Sequence, residues 1–576
     1  MNKFLRIFLI LSILFYTKLI FCQVTFTDVA PSLGVNDPGA AQGVVFLDVN
    51  NDGFLDIFLA NNNNQSKLWI NNNGTSFTES SATWGVNFTS PTRGISAADF
   101  NNDGFIDVMI GNWQTPIMLF KNTGTTFVNF STDAGVAFMS YGGSINWIDY
   151  NKDGKIDSYF ANNGMPPRYN YFFRNDNLNS FTNVAYSIGL IDSSSTLTVS
   201  SADYNNDGYP DLFLGTQSNP GFPTTAILYK NNGNGTFTDA TTESGILTNY
   251  YTWGSEWGDF NNDGFMDLFL ASTTGYNQLY KNKGNGTFTD VTISMGFELL
   301  NAAYSCGWAD IDNDGDLDLY VARGQNNEDK MYRNDGTIFT DISSASGMGD
   351  MLHSSCVSWG DYNNDGFLDL YLNNNGSANR LYKNSGNSNK WIILKLVGTN
   401  SNKSAIGTRV RIKTGSINQI REVEGGSGGK GQNSLPVEFG IGTASIIDSL
   451  IIKWPSGLEQ RFANVTPNII YNMTEGQLLA VNNINNNIPE KYSLSQNYPN
   501  PFNPSTIIRF QIKDSRFVTL KVYNILGNEI ATLVNEKKSP GSYEVNWDAS
   551  NFPTGIYFCK LVTDNFSDTK KMVLIK

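Results

Sequence analysis

Over roughly residues 24–387 short apolar runs alternate with clusters of Asn, Asp and Gly, and the alternation is periodic. Runs such as Asp56-Ile-Phe-Leu-Ala, Asp211-Leu-Phe-Leu-Gly and Asp318-Leu-Tyr-Val-Ala are too short for helices and predict buried strands. Each follows a short strand and a polar loop. A third run comes next, such as Leu68-Trp-Ile or Leu279-Tyr-Lys, and then an Asn/Gly turn of hairpin type: Asn72-Asn73-Gly74, Asn122-Thr123-Gly124, Asn232-Gly233, Lys283-Gly284. A fourth strand opens at Phe77, Phe127, Phe181, Phe237, Phe288 and Phe339. The polar loops begin at Asp48, Asp99, Asp149, Asp203, Asp259, Asp310 and Asp361, at steps of 51, 50, 54, 56, 51 and 51 residues. Such a period predicts a solenoid, a propeller or an array, and four antiparallel strands per unit describe one propeller blade.

Seven loops are followed by six Phe strands. After Asn384-Ser385-Gly386 the sequence changes character at Trp391, and the missing copy stands at the other end as Phe26-Thr27-Asp28. This N-terminal strand is expected to supply the outer strand of blade seven, closing the ring without an open sheet edge. A linear array leaves Phe26 unexplained.

Each polar loop reads Asp-x-Asn/Asp-x-Asp-Gly-x-x-Asp. The predicted ligands are Asp48, Asn50, Asp52 and Asp56; Asp99, Asn101, Asp103 and Asp107; Asp149, Asn151, Asp153 and Asp157; Asp203, Asn205, Asp207 and Asp211; Asp259, Asn261, Asp263 and Asp267; Asp310, Asp312, Asp314 and Asp318; and Asp361, Asn363, Asp365 and Asp369. These hard oxygen donors, with no soft ligand among them, suit Ca²⁺, up to one ion per blade. An EF-hand would need a bidentate Glu at position 12 and flanking helices. That position is Leu59, Ile110, Phe160, Leu214, Leu270, Val321 and Leu372, and the flanks read as strands. Plain Asn/Asp/Gly turns are the alternative, which four fixed oxygen positions in seven copies disfavour. The chain carries 39 basic and 53 acidic residues, net −14. Closely packed carboxylates repel unless neutralised, so the acidity belongs largely to the loops, and no nucleic-acid partner is expected.

The repeats, over roughly residues 24–387, resemble FG-GAP/VCBS repeats, the calcium-binding blades of integrin α-subunit heads. Meander topology puts the metal loops on one face and the variable 2–3 loops on the other. Those variable loops carry Trp113, Tyr169, Tyr171, Phe222 and Tyr276, either as a ligand surface or as cover for neighbouring blades. Trp147, Trp257, Trp308 and Trp359, each two residues before a metal loop, are expected in the inter-blade core.

Residues 1–22 read as a secretory signal peptide: Lys3 and Arg6 precede an apolar run from Ile7 to Tyr16, with cleavage near Cys22. A signal anchor or a lipid-modified Cys22 fits less well, and no other segment is long enough to span a bilayer. Loss of Lys3, Arg6 and Lys18 would take −14 to −17, and seven Ca²⁺ would return it to −3. Residues 389–481 resemble the ASPIC/UnbV domain through Ala405-Ile-Gly-Thr-Arg-Val-Arg-Ile, Glu438-Phe-Gly-Ile-Gly and Trp454-Pro-Ser-Gly-Leu-Glu-Gln. An Asn-rich linker is expected over 482–491. Residues 492–576 contain Leu494-Ser-Gln-Asn-Tyr-Pro-Asn-Pro-Phe-Asn-Pro-Ser-Thr, Val522-Tyr-Asn-Ile-Leu-Gly, Gly541-Ser-Tyr-Glu-Val-Asn-Trp and Lys570-Lys571-Met572. They resemble the type A C-terminal sorting domain of the type IX secretion system, itself an Ig-like sandwich. The resemblance implies contact with that machinery, export across both membranes, and a secreted or outer-membrane cell-surface location.

The fold expectation is all-β: a seven-bladed β-propeller over residues 23–388, a small β-rich domain, and a C-terminal Ig-like β-sandwich. No enzymatic activity is expected. The single histidine, His353, argues against His-based triads and His-rich zinc sites. Gly425-Gly-Ser-Gly-Gly and Gly426-Ser-Gly-Gly-Lys-Gly match nucleophile-elbow and dinucleotide patterns formally, but lack the strand–helix context and read as a glycine loop. Carboxylate pairs for glycoside hydrolysis compete with the metal assignment. The expected function is binding or adhesion to an extracellular protein or glycan. A polysaccharide lyase would instead need Lys, Arg, Tyr and His clustered on the loop face around the central channel, and a passive surface protein would need neither. Of the cysteines, Cys306 and Cys356 lie in neighbouring repeats, where a disulfide is allowed but not expected.

Overall fold

The computed structural model describes residues 24–164, 169–191, 194–217, 226–477, 481–483, 491–513, 516–538, 541–550 and 552–576. The expected signal peptide, Phe222 and most of the expected linker lie outside them. Chain contacts divide the protein into two units. One is Met1–Asn151, Ile156–Asn389 and Glu424–Ser434, and the other is Lys152–Lys155, Lys390–Val423 and Leu435–Lys576.

The first unit repeats one antiparallel meander. The first strands are Ala41–Leu47, Thr89–Ala98, Ile145–Ile148, Ser195–Ala202, Thr252–Gly258, Ala303–Ala309 and Ser354–Gly360. Each runs into a polar loop and pairs with a second strand that starts on the last aspartate of that loop, as in Leu47↔Asp56 and Gly258↔Asp267. The third strands end on Asn71, Asn122, Asn175, Asn231, Asn282, Asn334 and Asn384. Six fourth strands open on the predicted phenylalanines, and Phe26–Asp28 pairs with Arg380–Asn384 to complete the seventh sheet. The first two sheets are also joined to each other, through Asp56–Gln65 and Thr89–Ala98. First strands pack one on the next in chain order, and Ser354–Gly360 packs back on Ala41–Leu47. The result is all-β and propeller-like.

Second strands are buried on both faces, as in Asp267–Ser272 and Asp318–Arg323, which explains their continuous apolar run. The cores are shared between successive repeats. Phe260 stacks on Trp308 of the next repeat with ring centroids 6.4 Å apart. Phe46, Ile57 and Leu59 form one cluster with Cys356, Tyr362 and Tyr371, joining first and last repeats. Trp147, Trp257, Trp308 and Trp359 are all buried, as expected of core residues.

In the second unit Lys390–Val397 lies between antiparallel Val437–Gly442 and parallel Ile469–Thr474. Arg409–Thr414 and Ile447–Lys453 are the inner strands of a separate four-stranded sheet. Towards the C-terminus two further four-stranded sheets share a core that includes Phe510, Leu520, Trp547, Leu561 and Met572. Val481–Asn483 pairs with Gly541–Asp548, so the start of the expected linker is a strand. Cys306, Cys356 and Cys559 are free and buried.

Candidate functional site

Two features stand at opposite ends of the first strands. At the C-terminal end lie the polar loops. Their fourth residue (Asn51, Asn102, Lys152, Asn206, Asn262, Asn313, Asn364) and their glycine both have positive φ, from 55° to 60° and from 78° to 103° respectively. This is why Asn and Gly are used there. The tight winding turns the side-chain oxygens inward. Asp48 Oδ1 and Oδ2 accept from the amides of Asp52 (3.1 Å) and Gly53 (2.8 Å), Asn50 Oδ1 accepts from Asp52, and Asp52 Oδ1 accepts from Phe54. The loops at Asp99, Asp259, Asp310 and Asp361 repeat the pattern, and the loop at Asp203 shares the Gly208 bond to Asp203 and the Asp207 bond to Asn205. The third loop differs. Lys155 stands at position 7 and ion-pairs with Asp153, and residues 152–155 group with the second unit.

The ninth-position aspartates Asp56, Asp107, Asp157, Asp211, Asp267, Asp318 and Asp369 are fully buried. Burial, reinforced by neighbouring aspartates, pushes the Asp56 carboxyl to about 8 and those of Asp107, Asp211, Asp267, Asp318 and Asp369 well above the usual range. Asp211 Oδ2 and Asp369 Oδ2 are buried without a hydrogen-bond partner. In the sixth loop, where position 3 is Asp312 rather than Asn, one carboxylate oxygen each of Asp310, Asp312 and Asp314 lie within 4.8 Å of one another. Closely spaced buried carboxylates that accept from backbone amides would suit a hard dication, which would supply positive charge beside them.

The asparagine ending each third strand, which the sequence pattern places in a turn only at Asn122 and Asn384, is buried and holds two loops at once. Asn231 donates from Nδ2 to Pro210 O (3.2 Å) beside its own loop and to Tyr150 O (2.9 Å) in the preceding one, and its amide donates to Asp211 Oδ1 (2.7 Å). Asn122, Asn175, Asn282, Asn334 and Asn384 do the same. Asn71 donates to Tyr362 O (2.8 Å), from the first repeat to the seventh. Fourth-position asparagines link loops in the other direction, and Asn364 reaches Gly53 O (3.2 Å).

Residues 424–434, the glycine loop set aside on sequence, are threaded among the first strands. Gly425 O accepts from Trp147 N (2.8 Å), Lys430 O from Ile95 N (3.0 Å), Gly428 O from Cys306 N (3.3 Å), and Gln432 N donates to Val44 O (3.2 Å). Ser434 N donates to Trp359 O (2.9 Å) and Asn433 Nδ2 to Glu256 Oε1 (2.8 Å). Ser427 and Gly431 bridge antiparallel, so the segment is a hairpin. Its ends bond to Trp147 and Trp359, beside the polar loops, while its tip at Lys430 lies by Gly43 and Trp253, at the N-terminal end of the first strands. A Cβ at Gly425 or Gly428 would fall 1.9 or 2.1 Å from the carbonyl oxygens of Trp147 or Cys306, so only glycine passes.

At that N-terminal end six first strands carry one extra residue, always six positions before the first loop aspartate: Gln42, Arg93, Leu197, Trp253, Tyr304 and Ser355. Such bulges re-aim side chains. Arg93 lies over Trp113 (5.1 Å) and Lys430 Nζ over Trp253 (5.0 Å). Trp253 packs on Tyr304 (5.3 Å), Tyr304 on His353 (5.2 Å), and Trp113 on Tyr141 (5.6 Å). Of the predicted loop aromatics, Trp113 therefore joins this cluster, Tyr276 packs on Tyr250, Tyr171 on Phe138, and Tyr169 is exposed.

An FG-GAP-like repeat model matches residues 48–110, 99–160, 149–214, 203–270, 259–321 and 310–372, each match spanning two consecutive polar loops. The chain belongs to the FG-GAP-like repeat family. In this member the repeats are followed by an ASPIC and UnbV match over residues 398–479 and a secretion system C-terminal sorting domain over residues 496–576. That sorting domain engages the type IX secretion machinery and directs the protein to the cell surface or extracellular space. No helix among the described residues is long and apolar enough to cross a membrane. Cartilage acidic protein 1 of Homo sapiens is 26% identical over 268 residues, covering 43% of this chain and 39% of the relative. The Xenopus tropicalis protein is 26% identical over 302 residues, covering 48% and 44%. The chain thus spans under half the length of these relatives. The Dos1 propeller aligns with a TM-score of 0.34 at 9% identity, covering 60% of this chain and 93% of its own.

Proposed function

We propose that the repeats form a closed seven-bladed β-propeller holding up to seven Ca²⁺, and that this propeller is an extracellular binding or adhesion module. Closure is supported by the packing of the last first strand on the first, by Phe26–Asp28 in the seventh sheet, and by the Asn71 and Asn364 bonds between repeats one and seven. Residues 424–434 then run along the propeller axis, and residues 492–576 form an Ig-like β-sandwich from the two sheets that share a core. Calcium would be held by positions 1, 3, 5 and 9 of each loop and would neutralise the buried aspartates, making it a structural ion.

The binding reading rests on one observation: half-buried aromatic and cationic side chains gather at the mouth remote from the metal loops, around Lys430. A glycan array together with a pull-down from the native extracellular medium, both with the full-length chain, tests it. A ligand lost on substitution of Trp253 supports the reading, whereas a blank array and no captured partner favour a passive surface protein. A polysaccharide lyase is the second reading, because Lys430, Arg93, Tyr304 and His353 supply the residue types that elimination from a uronate requires. Accumulation of unsaturated uronate product would establish it.

A further inference from the structure

The mouth contains two cations with no charge partner. Burial, and after it the nearby Arg93, bring the Lys430 ammonium down to about 7, so that a bound anion would restore its charge; burial, and after it Lys430, lower the imidazole of His353, the single histidine of the chain. Among the described residues neither Arg93 nor Lys430 forms an ion pair, although the chain carries 53 acidic residues against 39 basic ones. Arg93 Nε is buried with no acceptor, and Lys430 Nζ has one neutral acceptor, Gln42 Oε1 at 2.7 Å. Glu256, on the same first strand as Trp253, faces the hairpin deeper along the axis, at Gly428 and Asn433. Buried cations held together without an acid are costly, and here the bulges and the hairpin hold them there.

The surroundings narrow the choice of anion. Trp253, Tyr304 and Trp113 offer half-buried rings beside the two cations. The backbone nearby is already engaged, since Ile95 N donates to Lys430 O and Cys306 N to Gly428 O. These two strand amides are therefore not open to pairing with an extended peptide. Rings for stacking, plus a guanidinium able to grip an oxyanion with two N–H groups, match a sugar ring bearing an acid.

We propose that this mouth binds an acidic saccharide, with its carboxylate or sulfate held by Arg93 and Lys430 and its ring against Trp253, Tyr304 or Trp113. The assignment rests on the binding reading above and names its ligand class. The test is calorimetric titration of the calcium-loaded full-length chain with four probes: a galacturonic acid hexamer, a sulfated carrageenan hexamer, a neutral galactan hexamer and polyglutamate. At least one acidic hexamer is expected to bind tenfold or more tighter than the neutral one, and the better of the two identifies the acid. Arg93→Gln should weaken that binding at least tenfold with an unchanged melting midpoint. Lys430→Met should do the same, and Arg93→Lys should recover part of the loss. Equal binding of neutral and acidic hexamers overturns the acid assignment and leaves the binding reading standing. Binding of polyglutamate alone overturns it in favour of an acidic peptide. Acidic-hexamer binding unaffected by Arg93→Gln places the site elsewhere. No binding by any probe, together with a blank array, removes both readings.

Discussion

Asn231 and Asn232 are adjacent in sequence and similar in composition terms, yet the structure assigns them opposite importance. Asn231 is fully buried; its Nδ2 donates to Tyr150 O and Pro210 O, and its Oδ1 accepts from Gly233 N at 3.0 Å. Asn232 is exposed, and its Nδ2 bonds to the hydroxyls of Thr236 and Thr238. Asn231→Ala removes three hydrogen bonds, each worth about 1 kcal/mol net, and leaves two carbonyls dry at about 1 kcal/mol or more apiece. The expected loss is about 3–5 kcal/mol. Asn232→Ala exposes its former partners to water and should cost less than about 1 kcal/mol. Urea unfolding at saturating Ca²⁺, followed by tryptophan fluorescence, gives both values. The Asn231 variant should also need more Ca²⁺ to reach full stability, because the lost donor leaves Asp211 and the preceding loop less well positioned. Equal midpoints for the two variants would refute the claim that the third-strand asparagines tie successive loops together.

Chelation should lower the melting temperature strongly: with dissociation constants of roughly 10⁻⁴ M, 10 mM Ca²⁺ stabilises by about 2.7 kcal/mol per filled site, and a melt indifferent to EDTA rules out structural calcium. Glu256 is pushed up from 4.5 to about 8 by burial; a carboxyl raised in the folded state stabilises fully below its unfolded value and loses that contribution as pH rises through its folded value. Stability should therefore fall between about pH 5 and 8, by up to about 1.4 kcal/mol per unit from this group, and Glu256→Gln should flatten that slope; an unchanged slope assigns it to other groups. Gly428→Val cannot clear Cys306 O, 2.1 Å from a Cβ at that position, so the hairpin should leave its place among the first strands and Lys430 should become cleavable by trypsin, whereas a resistant variant would show that the hairpin tolerates a side chain there.

The repeat strands, the polar loops and the pairing of Phe26 were legible because each is local chemistry copied at fixed spacing. Two other features were hidden for different reasons. The third-strand asparagines precede or begin Asn/Gly turns, where asparagine is already expected; their acceptors lie 73 to 81 residues back in Asn122 and Asn231, and 291 residues forward for Asn71. Their separation from the ninth loop aspartate also varies, 15 residues for Asn282 and 20 for Asn231, because the intervening loops differ in length. The glycine hairpin matched familiar enzymatic patterns while its real constraint was the carbonyl oxygens of strands far away in the chain. The bulge position shows the converse case. Its spacing is constant, six residues before each first aspartate, but its occupants are Gln42, Arg93, Leu197, Trp253, Tyr304 and Ser355, with Gly143 in the third repeat. Changing identity masked a fixed geometry.

That contrast suggests how the two ends of one strand divide their tasks. A first strand such as Thr252–Gly258 has seven residues and so separates its ends by roughly 23 Å, too far for a ligand at the mouth to touch the metal loops. At the loop end the third-strand asparagines are committed to two loops each, so substitution of one disturbs two repeats at once. At the mouth the bulge lets one residue leave the pleat without shifting the register of the strand below it, which is why side chains as different as Arg93 and Trp253 occupy equivalent places on the same frame. The hairpin adds Lys430 to these side chains from outside the repeat pattern. Recognition chemistry can therefore change at the mouth while the loops, the asparagines and the inter-repeat cores stay as they are.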